Sequence, residues 1–226
     1  MKNEGPFIID WIGYHQSIGV DHFLVYTNDC DDPTVEILER LQDLGVVTRV
    51  ENPYDRLAQE RPQRAVMADA VSQPKLQEAD WILTIDVDEY VNVHMGDGTL
   101  RALFTATQRP DLLSMTWRLF GCGGAVDFQD RPLIEQFVSA SPLFARKPHH
   151  NWGFKTVMNR RLKFGKLGIH RPLEIDAEQD IRWVNGSGRL MPERFREGGW
   201  RSAVDCWGYD LVTLNHYAVR SIDSFL

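Results

Sequence analysis

An α/β fold with a mostly parallel central sheet flanked by helices is what the sequence predicts, on three observations. Short β-rich apolar runs alternate with helix-period segments through the first half of the chain. Their strand–helix–strand–helix–strand spacing calls for right-handed crossovers, which pair strands in parallel. Trp81-Ile82-Leu83-Thr84-Ile85 reads as a strand covered on both faces, as central parallel strands are.

The first element is a helix. Pro6 suits a first helical turn, apolar Phe7, Ile8, Trp11 and Ile12 come next, and Gly19 marks the end, so this helix is predicted over 6–18. His22 to Thr27 is a strand. Asp32 reads as an N-cap with Pro33 behind it, and Val35, Leu38, Leu41 and Leu44 share one face of a helix that Gly45 ends. Val46 to Val50 is the next strand. A helix over 60–78 contains Pro74, which ends or bends it. In the second half, Leu112 to Leu119 is a strand and Gly121-Cys122-Gly123-Gly124 a loop. Phe137 to Arg146, Thr156 to Leu162 and Leu211 to His216 are strands or short helices. With no repeat or linker, residues 1–226 are predicted to form one domain. Lys2-Asn3-Glu4-Gly5 resembles the end of a βα turn with no strand before it. The chain is therefore expected to lack a first strand, and to stop inside a helix at Ser224-Phe225-Leu226.

Composition narrows the function. The chain has 226 residues, with 25 basic and 32 acidic side chains and a net charge of −7, which disfavours non-specific nucleic-acid binding. No apolar run is long enough to cross a bilayer, and the N-terminus lacks a signal-peptide pattern. Three scattered cysteines (Cys30, Cys122, Cys206) imply neither a disulfide framework nor a Cys zinc site. A reducing, cytoplasmic location is expected, with at most peripheral membrane contact. Asn185-Gly186-Ser187 is then a turn rather than a glycan acceptor. Neither G-x-G-x-x-G nor the P-loop pattern occurs, which disfavours dehydrogenases and P-loop ATPases.

The informative string is Thr84-Ile85-Asp86-Val87-Asp88-Glu89-Tyr90. If the strand continues, Asp86 and Asp88 face the same side and Glu89 the other. They lie at the carboxyl end of a central strand, where open α/β sheets bind ligands. Two adjacent carboxylates repel unless a cation lies between them, so Mn²⁺ or Mg²⁺ is the expected partner. Such ions keep few protein ligands and take phosphate oxygens, which points to a nucleotide or sugar-nucleotide. An isolated Asp-x-Asp is more often a solvated loop, and the strand before it is what gives this one weight.

Several stretches together resemble the family-2-like glycosyltransferases of the GT-A (Rossmann-like) fold. These are Asn3-Glu4-Gly5 before an aromatic helix, Gly19-Val20-Asp21-His22, Asn28-Asp29-Cys30-Asp31-Asp32, and Asp80-Trp81-Ile82-Leu83 leading into Asp86-Val87-Asp88-Glu89-Tyr90. Trp117 to Gly124, Asn215-His216-Tyr217 and Arg220-Ser221 complete the set. The resemblance implies a nucleotide-sugar-binding half over 1–116 and a less regular acceptor-side half over 117–226. It implies a metal-dependent, inverting transfer from a UDP- or GDP-sugar to a hydroxyl on a glycan, lipid-linked glycan or protein. Asp86 and Asp88 then match the Asp-x-Asp motif, with Asp88 as the metal ligand of choice, and His216 stands where a late metal ligand occurs. Asn3 and Glu4 would read base and ribose, and Asn28 and Asp29 would face the same cleft, though both also suit turns. Arg64 matches a basic residue on the helix before the motif, and a solvated helix face is its plainer use. Lys155 and His170 are further cleft candidates, Lys155 as an offset to pyrophosphate charge.

Inverting transfer needs a base for the acceptor hydroxyl. Glu135, followed by Gln136 and Phe137, is the first candidate and Asp127 the second, both after the Gly-rich loop. Trp117, Trp152 and Trp200 are candidate sugar-stacking rings, although packing is the commoner use of tryptophan. The pair His149-His150 has no partners at zinc-ligand spacing. Two other readings compete: a non-catalytic sugar-nucleotide or glycan-binding module, and a nucleotidyltransferase.

Overall fold

The computed structural model describes residues 1–55, 61–145, 151–221 and 224. His149-His150, Arg146 and Phe225-Leu226 lie outside the described residues. Helix α1 (Gly5–Ser17) has a proline in its first turn and buries Ile8, Trp11, Ile12 and His15 as one stripe. Strand β1 (Phe23–Thr27), helix α2 (Thr34–Asp43) and strand β2 (Val47–Glu51) come next. β1 and β2 pair in parallel, with Phe23 opposite Val47. The Asp32 carboxylate accepts from Gly5 N and from Thr34 N, each at 3.0 Å, so one side chain satisfies donors at the starts of both α1 and α2. Pro74 separates α3 (Pro62–Ala70) from α4 (Pro74–Glu78), as its missing N–H demands.

Strand β3 (Trp81–Leu83) is shorter than its apolar run, and the chain does not continue as a strand beyond it. Residues 86–89 form a turn in which Glu89 N donates to Asp86 O at 3.1 Å, and β4 (Glu89–Val93) leaves it. Then come α5 (Leu100–Ala106), β5 (Leu112–Leu119), α6 (Leu133–Gln136), β6 (Phe154–Asn159), β7 (Phe164–Lys166), β8 (Leu173–Ile175), β9 (Trp183–Asn185), α7 (Arg194–Glu197) and β10 (Val212–His216).

The main sheet has the order β3-β6-β5-β10-β4, with β9 also on β5. β10 and β9 run parallel to β5, while β4 on β10, β6 on β3 and β6 on β5 are antiparallel. The sheet is therefore mixed, which corrects the mostly parallel one expected. The physical reason is that β6 inserts antiparallel between β3 and β5, and β4 returns through a tight turn rather than a crossover. β7 and β8 make a separate antiparallel ribbon.

β4 is the sheet edge, and α1 covers it. Trp11 Nε1 donates to Glu89 O and Tyr14 Oη to Val91 O, each at 2.9 Å, while Val91 N points to His15 Nε2 at 3.4 Å. The aromatic stripe of α1 thus satisfies edge groups that a bare strand would leave to water or another chain. Burial holds the His15 imidazole down at about 4, so the ring is neutral. On the inner side, Gly153 leaves room for the Trp117 indole: a Cβ there would stand 2.2 Å from Trp117 Cε3. Among the described residues no helix is long and apolar enough to cross a membrane.

Candidate functional site: a charged cleft at the sheet's edge

The carboxyl ends of β3, β5 and β10 meet the amino ends of antiparallel β4 and β6 at one edge of the sheet. The turn after β3 carries Asp86 and Asp88 there, so a turn rather than strand alternation juxtaposes them. The two carboxylates have different surroundings: the side chain of Asp86 is 52% exposed and that of Asp88 23%.

Asp86 is the exposed member of a charged group whose other two members, Lys155 and Glu89, are fully buried. Lys155 enters from β6 with no exposed surface, and its Nζ lies 2.9 Å from Asp86 Oδ2 and 3.6 Å from Glu89 Oε2. Glu89 is also fully buried. Its Oε2 accepts from Asp86 N at 2.9 Å and its Oε1 from Trp117 Nε1 at 2.7 Å. Burial works against the charge on both partners. It pushes the Glu89 carboxyl up to about 7 despite the pull of Lys155. For Lys155 the attraction of Glu89 and Asp86 overcomes burial and raises its pKa, so the ammonium stays charged.

Asp88 belongs to a second group, each member of which keeps a little exposed surface. His216 at the end of β10 places Nε2 3.3 Å from Asp88 Oδ2, and Asp88 O accepts from Tyr217 N at 2.8 Å. Desolvation opposes the charge on Asp88, yet the bond to His216 and the nearby Arg220 hold its pKa below the usual carboxylate value. Desolvation is likewise overcome at His216, whose pKa the Asp88 bond and neighbouring carboxylates raise. His216 Nδ1 is buried with no hydrogen-bond partner, and the ring packs 4.7 Å from Trp117. Alongside, Arg220 pairs with Glu4 at 2.8 Å and lies 3.8 Å over the Phe7 ring.

Of the residues singled out from sequence, Glu4, Asp86, Asp88, Lys155 and His216 belong to these groups. Asn3, Asn28 and Asp29 lie in the loops beside β1. Asn3 Oδ1 accepts from Asp31 N at 3.0 Å, Asn28 Oδ1 from Asn52 Nδ2 at 3.4 Å, and Asp29 Oδ2 from Tyr54 Oη at 2.5 Å. Asn3 and Asp29 both adopt positive φ, 54° in each, a turn conformation Asn and Asp tolerate. Arg64 is exposed on α3, and Asp127 and Glu135 are exposed in the segment after β5. None of these three makes a hydrogen bond or ion pair with Asp86, Asp88, Lys155 or His216.

Sequence reasoning missed Glu89 and Arg220 as members of the cleft, and Trp117 as the indole that binds Glu89. Glu89 falls on the far side only if the strand continues, and a turn replaces the strand there. A glutamate opening the apolar run Tyr90-Val91-Asn92-Val93 was the available signal, since a charge there must find a buried partner.

The fold and cleft define a mixed α/β domain with paired charges at the sheet edge where such domains bind ligands. The sequence profile of glycosyltransferase family 92 matches residues 3–185, and the chain belongs to that family. A rice (Oryza sativa subsp. japonica) glycosyltransferase family 92 protein is 29% identical over 210 residues, 91% of this chain and 33% of the relative. A family 92 protein of Arabidopsis thaliana is 31% identical over 99 residues, and one of Ricinus communis 28% over 97, each covering 42% of this chain and 16% of the relative. The chain thus spans about a third of the length of the rice relative, and less of the other two is matched. The expectation of a glycosyltransferase stands at that level, and the family matched is 92 rather than the family-2-like one that the residues resemble.

Proposed function

We propose that the chain carries the donor site of a metal-dependent glycosyltransferase of the GT-A kind, which moves a sugar from a UDP- or GDP-sugar to an acceptor hydroxyl with inversion. Family membership and the convergence of Asp86, Asp88, Lys155 and His216 on one sheet edge support this reading. The acceptor would be a glycan, a lipid-linked glycan or a protein.

The donor set suits Mn²⁺ or Mg²⁺. Asp88 Oδ2 offers a hard oxygen and His216 Nε2 a ring nitrogen, 3.3 Å apart, a mixed oxygen and imidazole pair that such ions accept. Among the described residues no three His, Cys, Asp or Glu side chains are already grouped as a metal site. An ion held by Asp88 and His216 alone would therefore need donor phosphates and water to complete its shell. When bound, it would offset the charge developing on the leaving diphosphate. Asp86, held by Lys155, would face the donor ribose or an ion-bound water. Lys155 keeps that carboxylate oriented and limits the negative charge the diphosphate meets. Glu4, Asn3, Asn28 and Asp29 supply polar groups on the base and ribose side.

The test is a panel of UDP- and GDP-sugars with Mn²⁺, free hexoses and short oligosaccharides, following release of the nucleoside diphosphate. One donor should give release that EDTA and Asp88→Ala both abolish. Release indifferent to EDTA and to Asp88→Ala would contradict the metal site.

A further inference from the structure

We propose that His170 takes the proton from the acceptor hydroxyl, with Nε2 as the accepting atom. The inference rests on the glycosyl-transfer reading above and supplies the base that reading requires.

The ring is fixed from several directions. His170 Nδ1 lies 3.1 Å from Phe154 O, and a carbonyl oxygen only accepts, so Nδ1 carries the hydrogen and the neutral ring presents its lone pair at Nε2. The imidazole stacks on Trp200 with centroids 4.7 Å apart and planes at 20°, and meets Trp117 edge-on at 5.6 Å. Trp117 holds His216 at 4.7 Å and bonds Glu89. The two histidines therefore pack against one indole, with His216 beside Asp88. Phe154, whose carbonyl sets the His170 tautomer, immediately precedes Lys155, so a single stretch of β6 aims both the ammonium and the imidazole. The ring is half-buried. Burial first, and then Lys155, hold its pKa near 4 against the opposite pull of Asp86, so it is unprotonated at neutral pH.

The step balances without a further reagent. The acceptor oxygen forms a bond to the anomeric carbon as the bond from that carbon to the phosphate oxygen breaks. The electron pair of the broken bond leaves on the nucleoside diphosphate. The hydroxyl proton moves to His170 Nε2, and the imidazolium returns it to water after product leaves.

Asparagine at this position keeps a side-chain N–H for Phe154 O and removes Nε2. His170→Asn should fold and bind UDP with Mn²⁺ as the wild type does, yet release nucleoside diphosphate at least about 100-fold more slowly, the scale of general-base catalysis. In His170→Ala, free imidazole should restore part of the lost rate, which a structural role would not permit. Release by His170→Asn within a few-fold of wild type, or no rescue by imidazole, would overturn the assignment. A ¹⁵N NMR spectrum of the side chain gives a check independent of turnover: a proton on Nε2 at neutral pH would also overturn it. A wild type that binds neither UDP nor GDP would instead fail the donor reading.

Discussion

Glu89 is held by two indoles, and the two sides of β4 where they sit are built differently. On the outer side, Trp11 donates to the Glu89 carbonyl, and Tyr14 and neutral His15 complete a seam of uncharged bonds between α1 and the sheet edge. On the inner side, Trp117 donates to the Glu89 carboxylate, which shares a buried charged group with Lys155 and Asp86. The seam needs only to satisfy backbone groups, and neutral donors do that at little cost. A buried ion pair roughly breaks even against apolar packing, so folding alone gives no reason to place one here. The charged side is the one that faces the cleft, and strained ionisation of this kind marks functional sites.

Breaking the charged side should have the largest effect. Lys155→Met strips the buried Glu89 of its cation and should cost about 3–5 kcal/mol, read by denaturant unfolding. Adding Glu89→Gln should recover most of that loss, because the cost comes from an unpaired charge rather than a lost contact. A double variant as unstable as the single would make packing, not charge, the function of Lys155.

The neutral side is probed by acid. His15 has its pKa depressed from 6.5 to about 4 by burial, so the unfolded chain binds more protons between those values. The stability associated with its neutral form is full above pH 6.5 and is lost as pH falls toward 4, about 3 kcal/mol in all. His170 contributes in the same direction, with its pKa also near 4. Comparing wild type with His15→Leu isolates the first: the wild type's melting temperature should fall more steeply over this range. Parallel curves would place the charge change elsewhere. Trp11→Phe is the gentler test of the seam. It leaves the Glu89 carbonyl unsatisfied and should cost about 1–3 kcal/mol in unfolding experiments, with nucleotide binding retained.

The same contrast explains what was legible in the sequence. The early elements could be read because apolar period, Pro6, Pro33 and Gly45 act locally. Asp86 and Asp88 could be found because a strand pattern precedes them. The turn that presents them could not, since its aspartates serve equally as turn formers and as ligands at a strand end, and no glycine or proline decides between the two. The antiparallel insertion of β6 and the bond of Arg220 to Glu4 join residues far apart in sequence, where periodicity carries no information. Lys155 reads equally well as a surface lysine, because its burial depends on those same long-range pairings.

Asp88 and His216 are the pair proposed to hold the metal and nucleotide, while Lys155 ties the more exposed Asp86 in place. The most direct test of that role is calorimetric titration of UDP and of GDP, with and without Mn²⁺, into wild type and Asp88→Asn. Asp88→Asn keeps the side chain's shape and an oxygen for His216 Nε2, and denaturant unfolding checks that it folds. The wild type should bind one of the two nucleotides in the presence of Mn²⁺, and the variant should lose that binding. A folded wild type that binds neither nucleotide, or an Asp88→Asn variant that binds as tightly as wild type, would contradict that role.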